Sequence, residues 1–412
     1  MAERGKPFCF WLYEEDFILS ITRIVKSLCL LSGFMLVSVI CYGAPPEGKP
    51  VLQLNTTPIA MSDYNEFTGD KDSDNYDIKA SELKGIRAQV RTRIARALEA
   101  KMHQLEAQGN LPFTLKKSEE GFDLNRINLK KELVLIPFIS MDDAFVSKYA
   151  IGKNDVRTKY VLVSGMNLAI CVAESDKTFR MLGSVPLAGY KLINDGHDYS
   201  YAQLADMYAD MTAQMIGEEL AFLDPKDVKD LNAKKIRKPD TYQVENVNIS
   251  SAKAQKIFAD AAQREQVQIV LANLFTTQFQ KNAKKVVYPP IVGVKNSKVS
   301  QHANEMLYEM QVATPNGQIN VNWKKADNPI NLDISGVAAV KVPEKQEVEL
   351  YDDIAFKLWL NAKMNGKEIE TTADTIMRDY MVKDFGVYMQ YKDIYTELGI
   401  EAAMDLGKKM KP

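Results

Sequence analysis

Histidine and cysteine are scarce: three and four respectively in 412 residues. His103, His197 and His302 lie far apart, and none has a second histidine three or four positions on, as a helical zinc site would require. Cys9, Cys29 and Cys41 fall in the first 44 residues, leaving Cys171, so no internal disulfide can form beyond that leader. Cys171 sits in an apolar run and reads as a small core residue on a strand rather than a nucleophile. The chain contains no P-loop, no G-x-S-x-G elbow and no G-x-G-x-x-G turn. Neither charge sign dominates: 52 basic against 54 acidic residues give a net charge of −2, without the basic excess that nucleic acid calls for. After the leader, no uncharged run is long enough to span a bilayer as a helix.

What is present begins with that leader. Arg23 and Lys26 precede an uncharged run from Ser27 to Ala44, which ends in small residues followed by Pro45-Pro46. The pattern reads as a signal peptide over 1–44, with Gly43 the last residue removed and Cys41 two positions before it. A lipoprotein reading would make Cys41 the modified residue, but Ile40 before it is bulky. The acidic "YEEDF" is foreign to such a leader, and an uncleaved anchor or a later start would account for it. The leader's basic and acidic residues cancel, so the mature chain keeps the same net charge. At 46% apolar and 26% charged it is ordinary globular protein, long enough for two domains.

The stretch "TGDKDSDNYD" gathers Asp70, Asp72, Asp74 and Asp77. With Asp70 as the first ligand of a calcium loop, Asp72 and Asp74 fit. The turn position is then Asn75 instead of glycine, and the closing glutamate is replaced by Ser81, with Glu82 one residue late. The stretch reads instead as an acidic turn placed before a helix N-terminus, where the dipole favours negative charge.

Alternating and helical periods order the rest. "VLQLNTTPIA" is a strand. A helix follows with Leu83, Ile86, Val90, Ile94, Leu98, Met102 and Leu105 on one face, Ser81 as its cap and Gly109 just past its end. "LPFTL" is a short strand and "KELVLIPFISM" one buried on both faces. "KYVLVSGMNLAICVAE" and "KTFRMLGSVPLAGYKLI" form a hairpin about Ser175–Lys177, and Ser200 with Gln203 forms a capping box opening the next helix. After the charged stretch 225–240 the order recurs: strand 241–250, a helix with Val267, Val270, Leu271, Leu274 and Phe279, and a buried strand stopped by Pro289-Pro290. An Asn316-Gly317 hairpin follows, then the pair "INLDISGVAAVKV" and "DDIAFKLWLNAKM", then helix from about Thr371. The expected fold is α/β (α+β), with two similar domains, 45–224 and 241–412, each a mixed sheet with a long hairpin packed by two helices. "LVSGMNLAICV" and "DISGVAAVKV" align Ser164-Gly165 with Ser335-Gly336.

With "NEFTGD" (Asn65 to Asp70), Ala97-Leu98 in the helix and Ser164-Gly165 in the hairpin, the region Val51 to Leu223 resembles a family of small periplasmic α/β domains. These occur in the curli secretion lipoprotein, in the outer-membrane activators of penicillin-binding proteins and in the amino-terminal domain of the Tol propeller protein. The resemblance implies that the TGD loop is a structural strand-to-helix connection and that the role is non-enzymatic docking or assembly in the cell envelope. The second half lacks the loop, so its likeness rests on element order.

Candidate chemistry is sparse. "NDGHD" offers Asp195, His197 and Asp198, which a turn feeding a capped helix explains. Asp142 and Asp143, expected at a strand end, could serve as acid and base, although neighbours on an extended chain point apart. Tyr388, Tyr391 and Tyr395 form a stripe at helical spacing. No catalytic, cofactor or metal residue is assigned. The expectation is an exported envelope interaction protein, periplasmic or secreted, whose partners are other envelope proteins, a membrane surface touched peripherally, or further copies of itself. The alternative is an exported hydrolase with dispersed carboxylates.

Overall fold

The computed structural model describes residues 49–61, 65–69, 78–117, 132–150, 156–175, 177–220, 240–292, 299–302, 307–314, 317–342, 351–380 and 390–412. The leader, the acidic residues Asp70, Asp72, Asp74 and Asp77, the stretch 225–239, Asn316 and Tyr388 lie outside them.

The first half runs β1 (Val51–Leu54), β2 (Ile59–Ala60), α1 (Ala80–Ala107), β3 (Thr114–Lys117), β4 (Glu132–Ala150), β5 (Val156–Ala173), β6 (Thr178–Ile193) and α2 (Tyr201–Glu219). The second runs β7 (Thr241–Ile249), α3 (Ala252–Ile257), α4 (Ala261–Ala283), β8 (Val286–Val287), β9 (Val299–His302), β10 (Leu307–Thr314), β11 (Gly317–Lys324), β12 (Asn328–Lys341), β13 (Tyr351–Met364), β14 (Lys367–Tyr380) and α5 (Tyr391–Lys409). Among the described residues one mixed 14-stranded sheet takes up every strand, its main path being β14-β13-β12-β7-β8-β6-β5-β4-β1-β3. Residues Glu47–Pro412 form a single compact unit.

The same connectivity occurs twice along that path. β1 lies between β3 and β4, parallel to both, and β4, β5 and β6 form an antiparallel meander. β7 lies likewise between β8 and β12, parallel to both, and β12, β13 and β14 form the second meander. β6 meets β8 antiparallel at Ser184 and Val287, so the second half runs upside down beside the first. The inversion places α4 and α5 on the opposite face of the sheet from α1 and α2. α1 and α2 cover one side of the first meander. The other side of that meander is covered partly by α4, with Met141, Val161, Val163 and Ala188 in its core, and partly by β10 and β11.

Local signals account for most elements. Leu83, Val90, Ile94, Leu98, Met102 and Leu105 are the buried residues of α1, and Gly109 closes it at φ +71°. The capping box of Ser200 and Gln203 forms. Val134 through Asp143 are buried on both faces of β4. Ser81, by contrast, does not cap α1: the helix starts at Ala80, Lys79 is its N-cap, and no side chain bonds there.

Two sequence expectations are corrected. Residues from Thr371 to Tyr380 are not helix but the second part of strand β14, and the described helix that follows begins at Tyr391. Asn365 (φ +49°) and Gly366 (φ +78°) make the two-residue turn that pairs β13 with β14, an Asn-Gly signal equal to the one at 316–317. Exposed Glu368, Glu370, Thr372 and Asp374 along β14 dilute its apolar alternation, which hides the strand. The two Ser-Gly pairs are also not equivalent. Gly165 lies on β5, the middle strand of its meander, and Gly336 on β12, the first of the other.

The valid equivalence is set by a bulge. The register of β4 slips between Ile139 and Met141 and that of β12 between Ile334 and Gly336, so Ser140 corresponds to Ser335. From there Asn167 matches Asn361 and Gly165 matches Trp359. Gln53 of β1 and Gln243 of β7, both buried, fall at the same position of their strands.

Candidate functional site

Asp142 lies in the middle of β4, not at its end, and its side chain is fully buried. It points toward α1 and α2, while Asp143 points to the opposite face of the sheet, where Gln266 Nε2 of α4 lies 3.4 Å from its Oδ1. The adjacent pair therefore cannot act together on one substrate.

The TGD loop closes on Asp142. Glu66 N–H donates to Oδ1 (2.6 Å), Thr68 N–H donates to Oδ2 (2.7 Å), and the Thr68 hydroxyl donates to Oδ2 as well. Asn65 Nδ2 donates to the Ile139 carbonyl at 3.1 Å, and Ala144 N–H to Glu66 Oε2 at 3.2 Å. Helix α1 supplies two arginines from what the sequence presents as its polar face: Arg87 donates to the Glu66 carbonyl (3.4 Å) and Arg91 to the Thr68 carbonyl. Tyr201, in the first turn of α2, donates its hydroxyl to the Glu66 carbonyl at 2.6 Å. Phe67 stacks on Tyr208 of α2, ring centroids 5.0 Å apart. A Cβ on Gly69 would fall 2.2 Å from the Asn65 carbonyl oxygen, so the backbone closes in a way that only glycine permits.

Burial pushes the Asp142 carboxyl up to about 7, and Glu66 nearby adds to this. The hydrogen bonds from Thr68 and Glu66 pull the other way. Beneath the loop, Ser164 and Thr212 share a hydrogen bond of 2.8 Å, and burial raises the phenol of Tyr208. The carboxylate is saturated by backbone and side-chain donors and sealed from solvent. Its chemistry is that of a latch holding the loop to the sheet, not that of a proton shuttle serving an external ligand.

The other candidates resolve into structural roles. In "NDGHD", His197 N–H donates to Asp195 Oδ1 (3.1 Å), Tyr199 hydroxyl to Asp195 Oδ2 (2.5 Å), and Thr158 hydroxyl to Asp198; Gly196 adopts φ +80°. The Tyr199 bond draws the Asp195 carboxyl below its usual range. His103 lies 3.6 Å from Glu106 on α1, and His302 ends β9. Among the described residues no group of three or more His, Cys, Asp or Glu is placed to hold a metal ion. Cys171 is wholly buried on β5 and burial raises its thiol. Tyr395 is buried and Tyr391 is 47% exposed, yet both meet Phe356 edge-on, at 5.8 and 5.1 Å, so the two share the face of α5 that packs on β13. Trp323 is buried beside Tyr308.

A second polar cluster escaped the sequence reading. Ser140 at the bulge donates to Asn273 Oδ1 of α4 at 2.6 Å, Asn167 Nδ2 lies 3.5 Å from the same oxygen, and Asn273 donates to Ile269 O. All three side chains are buried. The available signal was a lone asparagine inside each of two apolar runs, "IVLANLF" and "SGMNLAIC".

Compared with known protein families and with curated proteins, the chain matches no family model and no curated relative.

Proposed function

We propose that this chain is an exported, non-enzymatic cell-envelope protein that works through protein–protein interaction or assembly on the periplasmic side of a membrane. Under this reading it consists of two similar α/β domains, 45–224 and 241–412, joined by the charged segment 225–240. It belongs with the periplasmic domains of the curli secretion lipoprotein, penicillin-binding-protein activator and Tol propeller type. The observation that carries it is the latch: Asp142 takes the donors of Glu66 and Thr68, which makes "NEFTGD" a structural connection of the kind that likeness implies. The repeated strand order and the paired bulges at Ser140 and Ser335 support the tandem. The signal-peptide pattern before Pro45 supports export.

Acid–base work by the adjacent Asp142 and Asp143 is disfavoured by the same geometry, since they lie on opposite faces of a buried strand; the alternative, an exported hydrolase with dispersed carboxylates, is separated from this reading by experiment. Cell fractionation with amino-terminal sequencing tests the reading. The protein is expected in the envelope fraction, beginning at Ala44 or within a few residues, and to retain named envelope proteins in a pull-down. A cytosolic chain that keeps Met1, or turnover of an ester or glycoside panel that is abolished by Asp142→Asn, would overturn it.

A further inference from the structure

The two meanders differ in what lies over one face. In the first, the cross-strand row Phe145–Val161–Leu192 and the rows Asp143–Val163–Tyr190 and Met141–Gly165–Ala188 lie on the face that α4 covers. The equivalent rows of the second meander are Val340–Ala355–Ile376, Ala338–Lys357–Asp374 and Gly336–Trp359–Thr372. No described element covers them. Val340 is 60% and Ile376 63% exposed, side by side with Ala355 between them. The same step that sets the second half against the first therefore ends on an unoccupied copy of the internal junction.

The element that fills the junction within the chain is α4, and its counterpart is α1. Buried Val90, Ile94, Leu98 and Met102 of α1 match buried Val267, Leu271, Phe275 and Phe279 of α4 in spacing. On this alignment Asn273, which meets Ser140 and Asn167, corresponds to Arg96, which is exposed. The matching site on the open face is Ser335 with Asn361, and Asn361 stands in register between Asp333 and Glu370. An arginine on the helix would thus meet two carboxylates on the sheet, where the internal junction pairs neutral amides.

We propose that the open face of β12–β14 binds a second copy of this chain, with that copy's α1 lying across it and Arg96 set against Asp333 and Glu370. The contact is head-to-tail: the patch that binds differs from the patch that is bound, so association builds a closed ring or a filament. The edges fit this step. Among the described residues β14 and β3, the ends of the sheet path, each pair on one side only. The inference does not depend on the compartment in which the protein resides.

Sedimentation velocity of the purified full chain over a concentration series tests it. Self-association that weakens as salt is raised is expected. R96E and E370R should each weaken it at least tenfold, the double variant R96E/E370R should recover most of it, and I376E should abolish it. All three positions are exposed or half-exposed, so circular dichroism and melting temperature should stay at the wild-type values and separate lost contact from lost fold. A chain that remains monomeric at every concentration overturns the proposal. So does a dimer indifferent to R96E and E370R, which would point to a two-fold contact of another surface.

Discussion

The two meanders answer the same design problem with different chemistry. In each, a carboxylate on the first long strand holds the segment that leads from a parallel strand to a helix. In the first half Asp142 takes the N–H and hydroxyl of Thr68; in the second, Asp333 takes the N–H of Ser250 (2.9 Å) and its hydroxyl (2.5 Å). Asp142 lies after the bulge and is sealed under two helices, whereas Asp333 lies before its bulge on the open face. Valine, Val337, fills the position that matches Asp142 and packs into the core. The difference shows that burial, rather than the pairing itself, decides how much such a contact matters. A donor that loses its acceptor in the open is rehydrated, and one under a helix is not.

The largest expected effect follows from that contrast. Asp142→Ala leaves the Thr68 donors without an acceptor in a dry site and should cost about 3–5 kcal/mol by denaturant unfolding, against about 0.5–1.5 kcal/mol for Asp333→Ala. Equal losses would remove the distinction. The same carboxyl gives the pH dependence its sign. Asp142 titrates at about 7 in the fold, whereas an unperturbed aspartate titrates near about 4. The folded state therefore holds the proton more tightly. Its contribution to stability is complete below about pH 4 and is lost as pH rises through about 7. Unfolding midpoints should fall between pH 5 and pH 8 in the wild type, and Asp142→Asn should flatten that slope. An unchanged slope in the variant would assign the dependence to another group.

Next in size is the strand position shared by Gly165 and Trp359. A Cβ on Gly165 would meet Met141 Cγ at 2.7 Å and Ser140 Oγ at 3.0 Å, so it is the neighbouring strand's bulge, not a helix, that demands glycine. Gly165→Val should cost about 1–3 kcal/mol through overpacking. Trp359→Val, on the open face, should cost about 0.5 kcal/mol. A melting comparison of the two variants checks the ordering. The smallest difference concerns the bulge serines. Ser140→Ala leaves the carbonyl of buried Asn273 with only the long contact to Asn167 Nδ2 (3.5 Å) and should cost about 1–2 kcal/mol, while Ser335→Ala loses only its half-buried bond to Asn361 (3.2 Å) and should cost about 0.5 kcal/mol.

The chain's own pattern determined the elements whose signal is local. Spacing of apolar residues placed α1, α2 and α4. Turn chemistry placed Gly109 and the Ser200 box, an unbroken apolar run placed β4 in the interior, and the hairpin pattern placed β5 and β6, because these depend on neighbours within a few residues. β14 was equally legible through Asn365-Gly366, but its outward charges concealed its period. Tertiary structure alone decided that the strands of both halves join in one sheet, since the bridge at Ser184 and Val287 and the short parallel pairing of β6 with β11 (Thr178 with Asn320 to Arg180 with Asn322) carry that junction and no composition marks it. It also decided which carboxylate in "MDDAF" holds the TGD loop, that Ser140 and not Gly165 marks the repeat, and that the Asn273 cluster exists. The physical reason is the same for each. A bulge shifts every later side chain by one face, and a hydrogen bond between residues more than seventy positions apart leaves no periodicity in either segment.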